Sequence, residues 1–574
     1  MTKRLILAMG IWFVLLLIMT HIFQPDEEAR VPDDAPQSTN TQAEGGIRPI
    51  PSHQEQGARS TIEVLREAEL PQQGIVITTD NYEITLSSLD ASVTGMKLLR
   101  YEDGGAPIDF IERNIMNYAN FRVGFDGFEI DNPPLANWSY KQEGEYVHIF
   151  AHTIPSGFGQ GLALEKRYTF YKDAWHFDLE LRLVNTLNKK WVSYRDIAYS
   201  LIWGSPIDWL TDKEARTAYD KISLDVYHAG DDKLERLSED SEVKSYRWIG
   251  LEDRYFLFSI IPLGQGTAPN PAVETASVRF AEYEGSLAHI FSLNRHKLSL
   301  AEGGEASDLY RVFFGPKKYS LLTDAAYSPF HLSAIFDSFV LIKWLDIAFE
   351  QLIEFFHGFI PNYAIVIILV TILIKLLLHP LTQKSFVSMR KMQLIQPKLT
   401  ALREQFKNDP KRLNEEMMKM YKKEGVNPMG GCFPMLLQLP VFIALYQVLP
   451  RLADLKNSSF LWVQDLSSPD TVATISAFRD VPLLPYHLNI LPLIMTALSV
   501  GQSLITASKK EPKDSMQQQQ MKMMMFMPVI FLFLFWNMPS GLVLYWTVQT
   551  ILSLAQQAYI NRKYTANTAD DKPA

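Results

Sequence analysis

The stretch VIILVTILIKLLLHPLT, Val366 to Thr382, decides how this chain reads. Its Ile, Leu and Val suit a helix that crosses a bilayer, which takes about 20 apolar residues. Inside the run stands Lys375. Placing an ammonium there costs roughly 2.5–3.5 kcal/mol on insertion scales. Thr371 lies four residues before the lysine and His379 four after, so the three share one helix face.

Other apolar segments carry stripes of the same kind. Thr496, Ser499, Ser503 and Thr506 recur at helical spacing with Gln502 beside them, as do Trp546, Gln549, Ser553 and Gln556. Gln438 interrupts a further apolar segment. Polar residues inside spans usually face a bundle interior or a wet cavity. Each alone also fits a structural role, because Ser and Thr can bond their own helix. A lysine roughly 9 Å from the end of its helix can also snorkel to water. Three stripes on three helices favour a hydrophilic groove that carries positive charge at Lys375 and opens to the cytoplasm.

Loop charges set the orientation. Between Thr382 and Gly425 there are 11 Lys and Arg against five acids, whereas Arg451 to His487 holds Arg451, Lys456 and Arg479 alone. Lys510, Lys513 and Lys522 make the next loop basic, NMPSG (Asn537–Gly541) is uncharged, and Arg562 and Lys563 follow the last segment. Lys3 and Arg4 precede an apolar run from Leu5 to Phe23, read as an uncleaved anchor. The alternation gives six spans with both termini cytoplasmic.

Ahead of these spans the periodicity changes from helical to alternating. In AWHFDLELRL, Trp175, Phe177, Leu179, Leu181 and Leu183 point one way, and His176, Asp178, Glu180 and Arg182 the other. This predicts a half-buried antiparallel strand, with Lys172-Asp173 as the turn before it. Many such strands imply a large β-sandwich outside the cytoplasm. The expected division is an anchor span over 1–23, a flexible linker over 24–60 and the antiparallel β-sandwich over 61–325. An interfacial amphipathic helix follows over 326–362, with Lys343, Asp346, Glu350, Glu354 and His357 on its polar face. The Lys375 span takes 363–382, a cytoplasmic helical hairpin 383–429, four more spans 430–564 and a cytoplasmic tail 565–574. In the hairpin, Pro397 is expected to bend or interrupt the first helix, and Asp409-Pro410 to start the second.

Several chemistries find no support. The 574 residues carry a net charge of −9 and one cysteine, Cys432. Nucleic-acid recognition and an internal disulfide are therefore not expected. No HExxH, GxSxG or phosphate-loop pattern occurs, and GFGQG (Gly157–Gly161) reads as a turn between strands. Neither an enzymatic activity nor a cofactor or metal is expected. A proton-coupled transporter lacks its usual Asp and Glu relay, since the later spans hold no acid near midplane.

Three segments resemble a known family: HPLTQKSFVSMRKMQLIQPKL (His379–Leu399), NPMGGCFPMLLQLPVFIALY (Asn427–Tyr446) and MPVIFLFLFWNMPSGLVLYW (Met527–Trp546). They closely resemble the YidC membrane protein insertases, and the likeness runs from Phe339 to about Tyr564. The layout is similar to the Gram-negative form. That implies an α-helical inner-membrane protein of six spans, five of them in a C-terminal core, plus a large periplasmic β-sandwich. The resemblance implies insertion of small proteins alone and of others with the Sec translocon and its accessory subunits, and help in folding larger ones. It implies a groove at Lys375, with Gln502 and Trp546, and Thr371, Gln438 and Tyr545 are expected in the same groove. It also implies a path for substrate spans along Phe433, Met435, Leu439 and Phe442 on one helix and Met525, Phe531 and Phe535 on another.

Two departures matter. Many relatives place arginine where this chain has Lys375, and lysine keeps the charge but loses the planar fork. The tail NRKYTANTADDKPA is short, so ribosome contact is expected through cytoplasmic loops. Partners are then nascent membrane proteins and the lipid bilayer. A pure chaperone needs the Met- and Phe-rich surface but not Lys375, and a transporter the reverse.

Overall fold

The computed structural model describes residues 74–111, 120–125, 135, 138–155, 157–193, 196–205, 221–264, 268–283, 286–336, 340–407, 409–426, 433–474, 487–506 and 526–570. The expected anchor over 1–23 and linker over 24–60 lie outside the described residues, as does Cys432.

Alternating segments build the first half. Nine antiparallel strands form the largest described sheet, ordered in space as Leu234–Leu237, Ser223–His228, Tyr246–Glu252, Phe256–Leu263, Glu305–Pro316, His176–Asn185, Leu162–Phe170, Val147–Thr153 and Ser139–Glu143. A five-stranded sheet runs Ser241–Lys244, Thr275–Tyr283, Ser286–His296, Ile197–Trp203 and Arg122–Gly124, and a four-stranded sheet spans Ile75–Thr78 to Ala106–Asp109. The three share one apolar core. Trp203 of the five-stranded sheet meets Phe258 of the nine-stranded sheet at 4.1 Å between ring centroids, and Phe121 lies 5.5 Å from Trp203 and 5.8 Å from Phe177. Fully burying each such side chain contributes about 1.5–3 kcal/mol. Gly157 (φ +79°) and Gly161 (φ +82°) supply left-handed positions in the turn read from GFGQG.

The strand read from AWHFDLELRL is present, with Phe177 opposite Phe170 and Phe177, Leu179, Leu181 and Leu183 in the core. Its other face departs from the alternation, because His176 and Asp178 are buried as well. The Tyr327 hydroxyl accepts from the Trp175 N–H at 2.9 Å and lies 3.0 Å from His176 Nδ1. Asp178 accepts from Arg311 Nε and Nη2, both at 2.9 Å, and from the Tyr171 hydroxyl at 2.8 Å. Residues 326–336, expected in the interfacial helix, provide this cover. Tyr327, Phe330, Leu332, Ile335 and Phe336 all join the β core. A 3₁₀ turn over Ser328–Phe330 ends at His331, whose φ of +57° stops a helix from running through.

The second half is helical, with α1 (Val340–His357), α2 (Tyr363–Gln405), α3 (Pro410–Lys423), α4 (Phe433–Arg451), α5 (Ile490–Thr506), α6 (Phe526–Phe535) and α7 (Ser540–Asp570). Among the described helices α2 alone is long and apolar enough to cross a membrane, and α5 and α6 are shorter apolar helices. The Lys375 segment and the first arm of the hairpin are one continuous helix, with Pro380 and Pro397 inside it. Each proline removes one backbone donor. Beyond Pro397, Leu399 packs with Ile395, Val426, Met417, Met420 and Tyr421, which carries the helix through the proline. Asp409 caps α3 by accepting from the Arg412 N–H at 3.1 Å. The last helix continues into the expected tail, to Asp570.

α1 turns its acids inward. Asp346 and Glu350 are buried, while Trp344 and Phe355 are exposed. Glu350 accepts from Arg451 Nη2 at 2.9 Å and from the Tyr319 N–H, and Glu354 accepts from the Ser320 hydroxyl at 3.0 Å. The polar face therefore bonds to protein, and the outward face is apolar.

The link between α4 and α5 docks on the β domain. Arg254 donates from Nε to the Pro450 carbonyl at 2.8 Å and from Nη2 to the Ser467 carbonyl. The Tyr255 hydroxyl donates to Ser467 Oγ at 2.8 Å. Asp454 pairs with Lys318 at 2.5 Å and accepts from the Tyr101 hydroxyl at 3.3 Å, and Lys456 pairs with Asp103 at 2.7 Å. The turn Asp465–Ser468 also receives the start of α7, where the Ser540 and Gly541 N–H groups donate to the Ser468 and Leu466 carbonyls, both at 2.8 Å. One turn thus ties the β domain to α7.

Candidate functional site

The stripes on α2 and α7 meet each other and Gln438 of α4, while Ser499 and Ser503 of the α5 stripe donate to carbonyls of their own helix. Lys375 is 7% exposed, and its Nζ donates to Ser553 Oγ on α7 at 2.7 Å. The same ammonium lies 5.8 Å from the Phe386 ring centroid, a distance at which an aromatic face attracts a cation. Among the described residues no carboxylate pairs with Lys375. One turn further along α7, Gln556 Nε2 lies 3.3 Å from both His379 Nδ1 and Thr382 Oγ1 of α2. One turn back, Gln549 donates to Gln438 Oε1 of α4 at 2.9 Å, and Gln438 Nε2 bonds the buried Tyr545 hydroxyl. Tyr545, Gln549, Ser553 and Gln556 thus form a ladder on one side of α7. Helical spacing of three and four residues places them there.

Several expected residues lie away from this ladder. Thr371 is buried, and its hydroxyl donates to its own helix at the Ile367 carbonyl, 2.6 Å away. Trp546 sits in an aromatic cluster instead, 5.3 Å from Phe442, 5.5 Å from Phe531 and 5.3 Å from Phe535. Phe442, Phe531 and Phe535, read as one path from two helices, are therefore in contact through Trp546. Leu439 is half-buried on α4, and Gln502 is half-buried on α5, which packs against α7. Phe433 and Met435 fall in the first turn of α4 with side chains outside the described set, and Met525 lies outside the described residues.

Sequence reasoning named Ser553 only as part of a stripe. Its pairing with Lys375 joins residues 178 positions apart, and a single helix pattern carries no sign of its partner. Chemically, the arrangement is an ammonium bonded to a neutral hydroxyl between apolar helices. No described carboxylate cancels its charge.

Comparison with known proteins covers both halves. Residues 74–342 match the family described as YidC periplasmic domain, and residues 355–567 match the 60Kd inner membrane protein family. The membrane protein insertase YidC of Syntrophus aciditrophicus is 32% identical, over 86% of this chain and 85% of that protein. The protein of the same name from Geotalea daltonii is 29% identical, over 99% of this chain and 100% of its own length. A solved structure of an active YidC insertase with its first transmembrane domain resolved is 20% identical, over 84% of this chain and 91% of that one, with a TM-score of 0.32. With the β-rich and helical regions matched in the relatives' own order, this chain belongs to the YidC family of inner-membrane proteins, which carry a periplasmic β-rich domain before a helical region.

Proposed function

We propose that the chain is a membrane protein insertase and a folding chaperone for membrane proteins. It has six spans, both termini in the cytoplasm, and its β-sandwich in the periplasm. The observation that carries this reading is the Lys375 ammonium, held by a neutral hydroxyl in a ladder of uncharged polar side chains. The name shared by the relatives supports it.

In this reading the hydrophilic tail of a substrate enters the groove from the cytoplasm, between Thr371, Lys375, Gln438, Gln502, Tyr545 and Trp546. An ammonium and a carboxylate about 4 Å apart attract by about 4 kcal/mol at an effective dielectric constant near 20. That is comparable to the roughly 2.5–3.5 kcal/mol that burying the lysine costs, so the acid offsets the penalty for as long as it stays. The apolar part of the substrate leaves along Phe433, Met435, Leu439 and Phe442 on one side and Met525, Phe531 and Phe535 on the other. Transfer into lipid drives it, at about 25 cal/mol per Å² of apolar area. No nucleotide or cofactor takes part. The Sec translocon is the partner for larger substrates, and basic cytoplasmic residues of α2 and α3 offer the ribosome a surface.

Purified chain in liposomes tests this. A single-span substrate with an acidic N-terminal tail is presented, and protease protection of the tail is scored for wild type, Lys375→Ala and Lys375→Arg. Protection by wild type and Lys375→Arg with loss in Lys375→Ala is expected. Protection by all three would remove the charge mechanism and leave Lys375 a snorkelling residue. No protection by folded wild type would leave only the chaperone role or a need for Sec. That chaperone role is favoured by the exposed apolar face of α6, with Phe526, Val529, Ile530 and Phe533.

A further inference from the structure

We propose that Ser553 is the positioning residue for Lys375, holding the ammonium in the groove without neutralising it and releasing it to an arriving carboxylate. This rests on the insertase reading. The hydroxyl of Ser553 has a single proton, and it is used on the Gln549 carbonyl at 2.8 Å. Its oxygen is therefore an acceptor towards Lys375 Nζ at 2.7 Å, with the direction of both bonds fixed. An ammonium near the end of a span ordinarily stretches along its own helix towards water. Here the amine leans along α2 towards the Phe386 ring, and Ser553 of α7 holds it there with the residue only 7% exposed. The rungs on either side fix that spacing, since Gln549 holds α4 through Gln438 and Gln556 holds α2 through His379 and Thr382.

The chemistry of the rung follows from its lack of charge. An aspartate at this position would pair with Lys375 permanently and cancel its field. An alanine would let the amine swing to the cytoplasmic end. A hydroxyl holds the amine by one bond, and a substrate carboxylate exceeds that bond because it adds Coulomb attraction.

The test uses the full chain in liposomes and two matched single-span substrates, one with an acidic tail and one whose acids are changed to Asn and Gln. Wild type is compared with S553A, S553T, S553D and K375A, and each variant is first checked for wild-type thermal unfolding in detergent. S553T, which keeps the hydroxyl, should protect the acidic tail as wild type does. S553A should lose roughly tenfold on the acidic tail, about 1.4 kcal/mol, and lose no more than about twofold on the acid-free tail. S553D should match K375A. Wild-type handling of the acidic tail by S553A overturns the proposal, as does an equal loss on both tails, which marks Ser553 as packing only. If K375A itself handles the acidic tail normally, the charge reading fails and this proposal with it. If K375A is impaired and S553A is not, this proposal fails alone.

Discussion

Replacing Arg254 by alanine opens the contact between the β domain and the turn that holds α7. The side chain is 6% exposed, and it donates to the carbonyls of Pro450 and Ser467. Pro450 lies in the last turn of α4, where carbonyls lack a partner within the helix. A buried acceptor left unpaired costs about 1–3 kcal/mol, so two of them give about 2–6 kcal/mol before water enters the space. With water admitted, a loss of about 3 kcal/mol is expected, or roughly a hundredfold in an opening equilibrium. Lysine at the same position reaches one carbonyl and should recover about half of that energy. The readout is amide hydrogen exchange at Ser540 and Gly541, whose N–H groups bond to the turn. Their exchange should rise roughly a hundredfold in Arg254→Ala and about tenfold in Arg254→Lys. Amides of the Thr275–Tyr283 strand, which pairs within the five-stranded sheet, should not change. Exchange at Ser540 and Gly541 within about threefold of wild type would refute the argument, leaving the turn to Tyr255 and the Asp454 and Lys456 pairs.

Three further outcomes follow from the same geometry. Burial and the nearby Arg311 push the His176 imidazole down from 6.5 to about 4. A depressed histidine contributes stability that is present above pH 6.5 and lost as pH falls, so urea unfolding at pH 5 should show about 2 kcal/mol less stability from this group, and His176→Asn should flatten that dependence. Lys166 is buried with its ammonium on the carbonyls of Asp90 and Phe121, so Lys166→Met should lower the urea midpoint by an amount worth about 2–4 kcal/mol. Gly161→Ala would set its Cβ 2.5 Å from Leu187 Cγ at a left-handed φ of +82°, which should lower the thermal midpoint through about 2–4 kcal/mol of strain, with the packing part relieved by Leu187→Ala.

What the sequence disclosed follows the range of the forces involved. The core face of His176–Asn185 was legible because alternation is a local consequence of strand geometry. The stripes on α2 and α7 were legible because helical spacing is equally local. The burial of His176 and Asp178 was not, since Tyr327 and Arg311 approach from 151 and 133 positions away. Pro397 reads as a bend or an interruption because its own backbone chemistry favours one, and the helix runs through it without interruption where Leu399 packs with Val426 and α3. The bond from the Thr371 hydroxyl to the carbonyl one turn back is local to its helix, so the sequence pattern allows it without announcing it. Arg254 gave no signal at all, because an arginine following a strand looks the same whether it meets water or two carbonyls.

The clasp around Asp465–Ser468 also bears on how the chain is born. Tyr101 meets Asp454 across 353 positions, and Arg254 meets Ser467 across 213. Synthesis runs at roughly 5–20 residues per second, so the β core as far as Phe336 is made roughly 6–23 s before Pro450 is added. During that interval the domain is complete while Arg254, Tyr255 and Lys318 still await their partners. A chain halted before Ser540 therefore carries a finished β domain whose turn at Asp465–Ser468 still lacks the two α7 amides, and filling those two carbonyls marks a molecule whose last helix has been delivered.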